Sequence, residues 1–111
     1  MIAGLFLDDE RIPSSASWMN YPSNVSWDIV RNSEDFMEAV KSKQYDIISF
    51  DHDIQDWVDG KEVTGYDCLK QYCYMGMSGS EPEMYFHSQN PVGRNNMRLY
   101  WMNYLECFYN E

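Results

Sequence analysis

Blocks of apolar residues along the chain predict strands that are separated by helices. Ile2–Leu7 is an apolar run without polar alternation, a pattern typical of a strand buried on both faces of a parallel sheet. Ser26–Arg31 predicts a second strand, Asp46–Phe50 a third and Met84–Phe86 a short fourth. The Ser-, Pro- and Asn-rich segment between the first two strands predicts a loop, and residues 54–63 predict another polar loop.

Two helices are predicted between these strands from their terminal residues. Ser33 is expected to cap the first helix, and Phe36 begins its apolar face. Thr64 is expected to cap the second helix through a capping box with Asp67, and Gly76 is expected to end it.

A third helix carries the strongest periodicity in the chain. Asn90 is expected to cap it, because Pro91 then takes the favoured first helical position. Its apolar residues, which recur at helical spacing, are Met97, Tyr100, Trp101, Tyr104, Leu105 and Phe108. Such a stripe predicts that the helix packs on the core.

This order of elements predicts an α/β fold in one domain. Strands that alternate with helices pair in parallel through right-handed crossovers. The 111 residues, 1–111, have the length of a single domain. In a parallel sheet the carboxyl ends of the strands share one edge, and ligands bind at that edge.

The negative net charge of the chain disfavours some classes of ligand. The net charge is −10 and the pI is about 4.4, so we expect no binding to duplex nucleic acid or to an anionic membrane. A phosphate ligand must therefore be met locally, by a metal ion or by a few basic side chains. The three cysteines favour reduced thiols, the start of the chain turns acidic too early for a signal peptide, and no apolar run approaches membrane-spanning length. A cytoplasmic protein is expected.

Acidic residues follow two of the predicted strands. Asp8 and Asp9 come directly after the first strand, and Asp51 comes directly after the third. Carboxylates from neighbouring strand ends supply the oxygen ligands that Mg²⁺ or Mn²⁺ prefers. The sequence therefore predicts a divalent metal site at these three residues, with solvated caps of helices or loops as the alternative.

Other polar residues near these ends are candidates for substrate chemistry. His87 ends the fourth strand and is either a general acid or base or a buried structural histidine. Arg11 is expected either to bind phosphate or to pair with the neighbouring acids. Ser88 and Asn90 would form an anion cradle or simply cap the last helix, and Arg94 lies next to them in the sequence.

Four segments together resemble a known family. Leu7–Pro13, Ser49–Asp53, Thr64–Asp67 and His87–Arg94 match, in order, the motifs of the cyclic-phosphate processing receiver domains, small proteins of phages and bacteria. The resemblance covers nearly the whole chain. It implies a three-layer receiver-like (flavodoxin-like) fold, with a mainly parallel four-stranded sheet and helices on both faces.

The resemblance also implies roles for the site residues. Asp8 and Asp9 would be the metal-binding acidic pair of a receiver, Asp51 its phosphoacceptor, and His87 would take the place of its Ser or Thr switch residue. A serine-rich loop stands where a receiver has its first helix, and no fifth strand with its lysine follows the last helix. Both departures argue against phosphorelay signalling.

The leading hypothesis is a metal-dependent phosphoesterase that acts on cyclic phosphates. Asp8, Asp9 and Asp51 would hold Mg²⁺ or Mn²⁺, His87 would transfer a proton, and Arg11 would hold the phosphoryl oxygens. The substrate would be a cyclic nucleotide or an RNA end with a 2′,3′-cyclic phosphate. The alternatives are a non-catalytic protein that sequesters a nucleotide, for example in phage anti-defence within the host cytoplasm, and a protein-interaction module on a receiver scaffold.

Overall fold

The computed structural model describes residues 1–76 and 81–109, with residues 108 and 109 described by their helical backbone alone. Its strands are β1 (Ile2–Leu7), β2 (Val25–Val30), β3 (Ile47–Phe50), β4 (Asp56–Val58), β5 (Lys61–Val63) and β6 (Glu83–Phe86). Its α-helices are α1 (Ser33–Ser42), α2 (Gly65–Tyr74) and α3 (Pro91–Tyr109). The four strands and three helices expected from the sequence are all present, with bounds that shift by a residue or two.

The main sheet has the strand order of a receiver. Its order is β2-β1-β3-β6, and every neighbouring pair is parallel. The order changes direction between β1 and β3, and such a switch point is where doubly wound sheets bind their ligands. The expected receiver-like α/β class and its four-stranded parallel sheet are confirmed.

The two faces of the sheet are covered by different kinds of chain. Leu5, Leu7, Ile48 and Phe50 point to one face and share a single buried cluster with residues of all three α-helices. On the opposite face, residues from the segment between β1 and β2 pack on Phe6, whose ring centroid lies 6.5 Å from that of Tyr21. The layer on this face is therefore the expected loop, with one short 3-10 turn, in place of an α-helix.

Helix α1 begins differently from the expectation. The capping residue is Asn32, not Ser33, because Asn32 has the extended backbone that a cap requires and its side chain accepts a hydrogen bond from the Asp35 N–H at 2.8 Å. The Ser33 hydroxyl instead donates to Asp56 at 2.5 Å, which ties the start of α1 to β4. Both other predicted caps are confirmed: Thr64 forms the capping box of α2, and the Asn90 side chain accepts from a backbone N–H in the first turn of α3.

The expectation of an irregular loop at residues 54–63 was wrong. Strands β4 and β5 pair there as an antiparallel hairpin. The turn is formed by Asp59 and Gly60, whose φ angles of 52° and 78° are both positive. Asp-Gly between two short strands is a strong hairpin signal, and it was present in the sequence. Trp57 in β4 is 64% exposed, so it does not plug the core.

The stripe on α3 packs on the core as predicted. Met97 and Trp101 are buried, and Tyr100, Tyr104 and Leu105 pack at the margin of the same cluster. The side chain of Phe108 lies outside the described part of the chain. No helix in residues 1–76 and 81–109 is both long and apolar enough to cross a membrane.

Candidate functional site

The sheet itself brings the predicted site residues together. Backbone hydrogen bonds continue one step past the strands, from the Asp51 N–H to the Leu7 oxygen at 2.9 Å and from the His87 N–H to the Phe50 oxygen at 3.0 Å. Asp8, Asp51 and His87 are therefore the first residues after three adjacent parallel strands. Their side chains meet at the carboxyl edge of the sheet, next to the switch point.

Asp8, Asp51 and His87 form a compact buried group. Each offers a ligand atom, and these atoms all lie within 4.8 Å of one another, so the group could hold a metal ion. The Asp8 Oδ2 lies 3.0 Å from the His87 Nε2, and the Asp8 Oδ1 accepts two backbone N–H bonds at 2.9 Å. The sequence placed Asp9 and His87 beside Asp8 and Asp51, and of these two the structure brings only His87 into the buried group.

The two buried carboxyl groups have pKa values displaced in opposite directions. Burial alone would raise the pKa of Asp8, but hydrogen bonds from His87 and from two backbone N–H groups outweigh burial and hold it below its ordinary value. Burial raises the pKa of Asp51, and the negative charge of Asp8 raises it further. Neighbouring acids whose environments separate their pKa values are typical of acid–base sites.

An open pocket of about 530 Å³ lies over this group. It is lined by Asp9, Glu10, Arg11, Asp51, Asp53, Gln55, Ser88, Gln89 and Asn90. Burial raises the pKa of Asp9, with the negative charges of Asp8 and Glu10 adding to the effect. Asp9 thus faces the same pocket as Asp51 without joining the buried group.

Arg11 supplies positive charge to the two buried carboxylates. Its Nη1 lies 3.4 Å from Asp8 Oδ2 and 3.7 Å from Asp51 Oδ2, and its Nη2 donates to Gln89 at 3.1 Å. The guanidinium also lies 5.4 Å from the centre of the Trp18 ring, a cation–π contact. The side chain remains 30% exposed. Arg11 therefore forms ion pairs with acidic side chains, as one of the two expectations had it. It still faces the pocket where a phosphate would bind.

The turn that carries Asp8 and Arg11 is held by a residue that the sequence analysis missed. The Arg31 Nη1 donates to the backbone oxygens of Asp8 at 3.1 Å and of Arg11 at 2.6 Å. Because Arg31 follows β2, the neighbouring strand fixes the turn. Nothing local in the sequence identifies this contact.

His87 is completely buried and both of its ring nitrogens have partners. The Nε2 faces Asp8, and the Nδ1 lies 2.7 Å from the hydroxyl of Ser49, which in turn lies 2.6 Å from the hydroxyl of Tyr21. The imidazole stacks on Phe6 at 4.2 Å and 8°. His87 therefore does not line the pocket, and its hydrogen-bonded link towards the pocket runs through Asp8. The sequence analysis missed Ser49 and Tyr21, although Ser49 is the single polar residue within β3.

The predicted anion-binding residues lie in two places. Ser88 and Asn90 line the pocket, and the Ser88 hydroxyl also accepts a bond from the Asn90 N–H at 3.1 Å. The Asn90 amide donates to Asp53 at 3.2 Å. Arg94 instead lines a separate groove along β6 and α3, and its Nη1 reaches the Ser88 oxygen at 3.5 Å.

Comparisons with known proteins identify the family. The family model described as "Cyclic-phosphate processing Receiver domain" matches residues 3–103 of the 111. The search of curated proteins and the search of solved structures each returned no match. The matched range contains the whole sheet except Ile2 of β1, and it contains the whole buried group. The chain therefore belongs to the cyclic-phosphate processing receiver domain family.

Proposed function

We propose that this protein is a metal-dependent phosphoesterase that opens cyclic phosphates. The observation that carries the proposal is the convergence of Asp51 and Arg11 at one pocket, with Asp8 and His87 buried behind it. Two carboxylates, an imidazole and a guanidinium are the groups that phosphoryl chemistry needs for holding a cation, moving a proton and binding phosphoryl oxygens. The family description supplies the substrate class.

The donor set of the buried group fits a hard divalent cation. Carboxylate oxygens suit Mg²⁺ and Mn²⁺, and an imidazole nitrogen is also compatible with Mn²⁺ and with softer metals. Asp8 and Asp51 would hold the cation, with Asp9 available from the same pocket. A bound cation would polarise the phosphoryl oxygen and lower the pKa of a coordinated water.

Side chains of the protein would bind the phosphate and transfer the proton. The guanidinium of Arg11 would bind the non-bridging phosphoryl oxygens. Among the described residues that line the pocket, Arg11 is the one with a positively charged side chain. Asp51 would accept the proton of the attacking water and return it to the leaving ribose oxygen. The water oxygen bonds to phosphorus while one phosphorus–oxygen ester bond breaks, so the product is a phosphate monoester.

Asp8 and His87 would support this chemistry from behind the pocket. The hydrogen bond from His87 to Asp8 keeps Asp8 ionised beside Asp51. In the metal-free protein this negative charge raises the pKa of the Asp51 carboxyl, and a cation bound at the two carboxylates would relieve the repulsion between them. The proton-transfer role first expected for His87 is thus assigned to Asp51, with His87 acting through Asp8.

A turnover assay tests the proposal. Purified protein would be incubated with 2′,3′-cyclic and 3′,5′-cyclic mononucleotides, cyclic dinucleotides and a short RNA that ends in a 2′,3′-cyclic phosphate. Each substrate would be tested with Mg²⁺, with Mn²⁺ and with chelator. We expect hydrolysis that the chelator abolishes and that Asp51→Asn reduces by about a hundredfold or more, the usual scale for loss of a general base.

Asp59→Asn is the matched control. It makes the same chemical change in the exposed turn of the β4–β5 hairpin, at a positive φ that Asn tolerates. Its turnover should equal that of the wild type. Absence of hydrolysis across the whole panel would refute the enzyme. If calorimetry then showed tight binding of an intact ligand, the sequestering alternative would replace it.

A further inference from the structure

A continuous chain of hydrogen bonds runs behind the pocket from the irregular layer to Asp8. It passes from the Tyr21 hydroxyl to Ser49 Oγ at 2.6 Å, then to His87 Nδ1 at 2.7 Å. On the far side of the ring, His87 Nε2 lies 3.0 Å from Asp8 Oδ2. The side chains of Ser49, His87 and Asp8 are all buried. Water therefore does not compete for these bonds.

The direction of each bond follows from its neighbours. Both oxygens of Asp8 already face N–H donors, since Oδ1 accepts from the backbone N–H groups of Glu10 and Arg11 and Oδ2 accepts from the Arg11 guanidinium, so the carboxylate acts as an acceptor and the His87 Nε2 carries the hydrogen. In a neutral imidazole the Nδ1 then accepts, and the Ser49 hydroxyl donates to it. The oxygen of Ser49 accepts in turn from the Tyr21 hydroxyl, which keeps its proton because burial raises the pKa of Tyr21 to about 12.

We propose that Tyr21 and Ser49 are positioning residues that fix the orientation of the His87 ring, so that its Nε2–H points at Asp8. The inference rests on the proposed function, in which Asp8 helps to hold the cation beside Asp51. Tyr21 comes from the segment that stands in place of a receiver's first helix. The irregular segment between β1 and β2 would thus help to position His87 at the site.

Two features of the packing favour a positioning role. Ser49 places a hydroxyl within a strand whose other three residues are buried and apolar, and a buried hydroxyl is costly unless it is hydrogen-bonded. Phe6 stacks on the imidazole at 4.2 Å, which holds the plane of the ring but does not distinguish the ring from one flipped by 180° about its Cβ–Cγ bond. The hydroxyl of Ser49 distinguishes the two flipped orientations, because it meets a nitrogen in one and a carbon in the other.

Nitrogen NMR of His87 tests the inference directly. The spectra would be recorded on metal-free protein at about pH 8, above the ordinary imidazole pKa of about 6.5. In the wild type we expect a protonated Nε2 and a hydrogen-bonded, unprotonated Nδ1. In Ser49→Ala the Nδ1 resonance should move to the position of an imine nitrogen without a hydrogen bond. Tyr21→Phe should move it in the same direction by a smaller amount.

Tyr85→Phe is the matched control. Tyr85 packs against Tyr21 with ring centroids 5.1 Å apart, but its hydroxyl donates to Glu83 outside the chain of bonds. The His87 resonances of this variant should match those of the wild type. An Nδ1–H or doubly protonated ring in the wild type would overturn the inference, as would Tyr21→Phe and Ser49→Ala spectra that match the control.

Turnover separates this inference from the proposed function. With an active wild type, kcat should fall roughly three- to tenfold in Tyr21→Phe and Ser49→Ala, the scale of one hydrogen bond. KM should stay unchanged because neither residue lines the pocket. Wild-type kcat in both variants would overturn the inference. An inactive wild type would refute the proposed function, and the NMR comparison would still decide how His87 is held.

Discussion

The same substitution at two neighbouring residues should change stability in opposite directions. Asp51→Asn should stabilise the metal-free protein, whereas Asp8→Asn should destabilise it. The two carboxyl groups belong to one buried group and differ in what surrounds them. Asp8 accepts hydrogen bonds from several donors, whereas Asp51 is repelled by the negative charge of Asp8.

The gain from Asp51→Asn can be estimated from the geometry. Two unit charges that are 4.8 Å apart, the limiting separation in this group, repel by about 3.5 kcal/mol at an effective dielectric constant of about 20. Arg11, at 3.7 Å from Asp51 and 30% exposed, offsets part of this repulsion. Removal of the Asp51 charge should therefore add about 1–2 kcal/mol to the free energy of unfolding, or several degrees in Tm.

The loss from Asp8→Asn has a different origin. Asp8 accepts hydrogen bonds from His87 Nε2 and from the N–H groups of Glu10 and Arg11. An amide has only one accepting oxygen, so at least one buried donor would be left unpaired or would face the amide nitrogen. Such losses, together with the lost attraction between Asp8 and Arg11 at 3.4 Å, cost about 2–4 kcal/mol and outweigh the repulsion from Asp51 that the substitution also relieves.

The dependence on pH follows from the direction of each pKa shift. Asp51 has a raised pKa in the folded protein, so its charge lowers stability above that pKa and has no effect below the unfolded value of about 3.9. The advantage of Asp51→Asn should therefore vanish as the pH falls towards 4. Asp8 has a lowered pKa, so its contribution is fully present above about 3.9 and is lost only at lower pH.

Urea unfolding in chelator, followed by tryptophan fluorescence between about pH 4 and 8, would measure both effects. Asp59→Asn, at an exposed turn, should leave the free energy of unfolding within about 0.5 kcal/mol of the wild type. A destabilised Asp51→Asn at pH 7 would refute the electrostatic reasoning. So would an Asp51→Asn advantage that is constant across this pH range.

Four further substitutions, one of them a control, test the packing of the domain. Gly65→Ala would place a Cβ 1.6 Å from the Asp51 carbonyl oxygen, so the backbone of Asp51 must move, and we expect a loss of at least about a hundredfold in turnover. Gly76→Ala is its control in urea unfolding, since an added Cβ would meet no atom of the described residues within 4 Å, and the substitution should cost only about 1 kcal/mol through the φ of 81°. Leu69→Ala should lower the free energy of unfolding by about 2–5 kcal/mol, because Leu69 is fully buried. Trp57→Ser should change it by less than about 0.5 kcal/mol, and a larger loss would show that the indole packs on the domain.

Much of the fold could be predicted because its signals are local. An apolar run such as Ile2–Leu7 or a capping pair such as Thr64 and Asp67 specifies its element through residues a few positions apart. Parallel pairing then follows from the alternation of strands with helices. The same logic placed Asp8, Asp51 and His87 at one edge, because each directly follows a strand.

The errors show where local signals compete. Asn32 and Ser33 are both good capping residues, and the choice of Asn32 depends on Asp56, which engages the Ser33 hydroxyl from 23 positions away. The hairpin at Asp59 and Gly60 was missed because its strands are only three residues long and mostly exposed. Its turn signal had no apolar alternation beside it.

The sequence by itself determined the elements, their parallel arrangement and the edge where the site lies, since periodicity, caps and strand ends are properties of neighbouring residues. Only the tertiary structure decided which side chains of the site contact one another. His87 meets Ser49 across 38 positions and Asp8 across 79, and Tyr21 meets Ser49 across 28. Those contacts depend on the register of parallel strands and on how an irregular segment packs over the sheet. No short-range pattern encodes either, because both are fixed by packing between parts of the chain that are far apart in sequence.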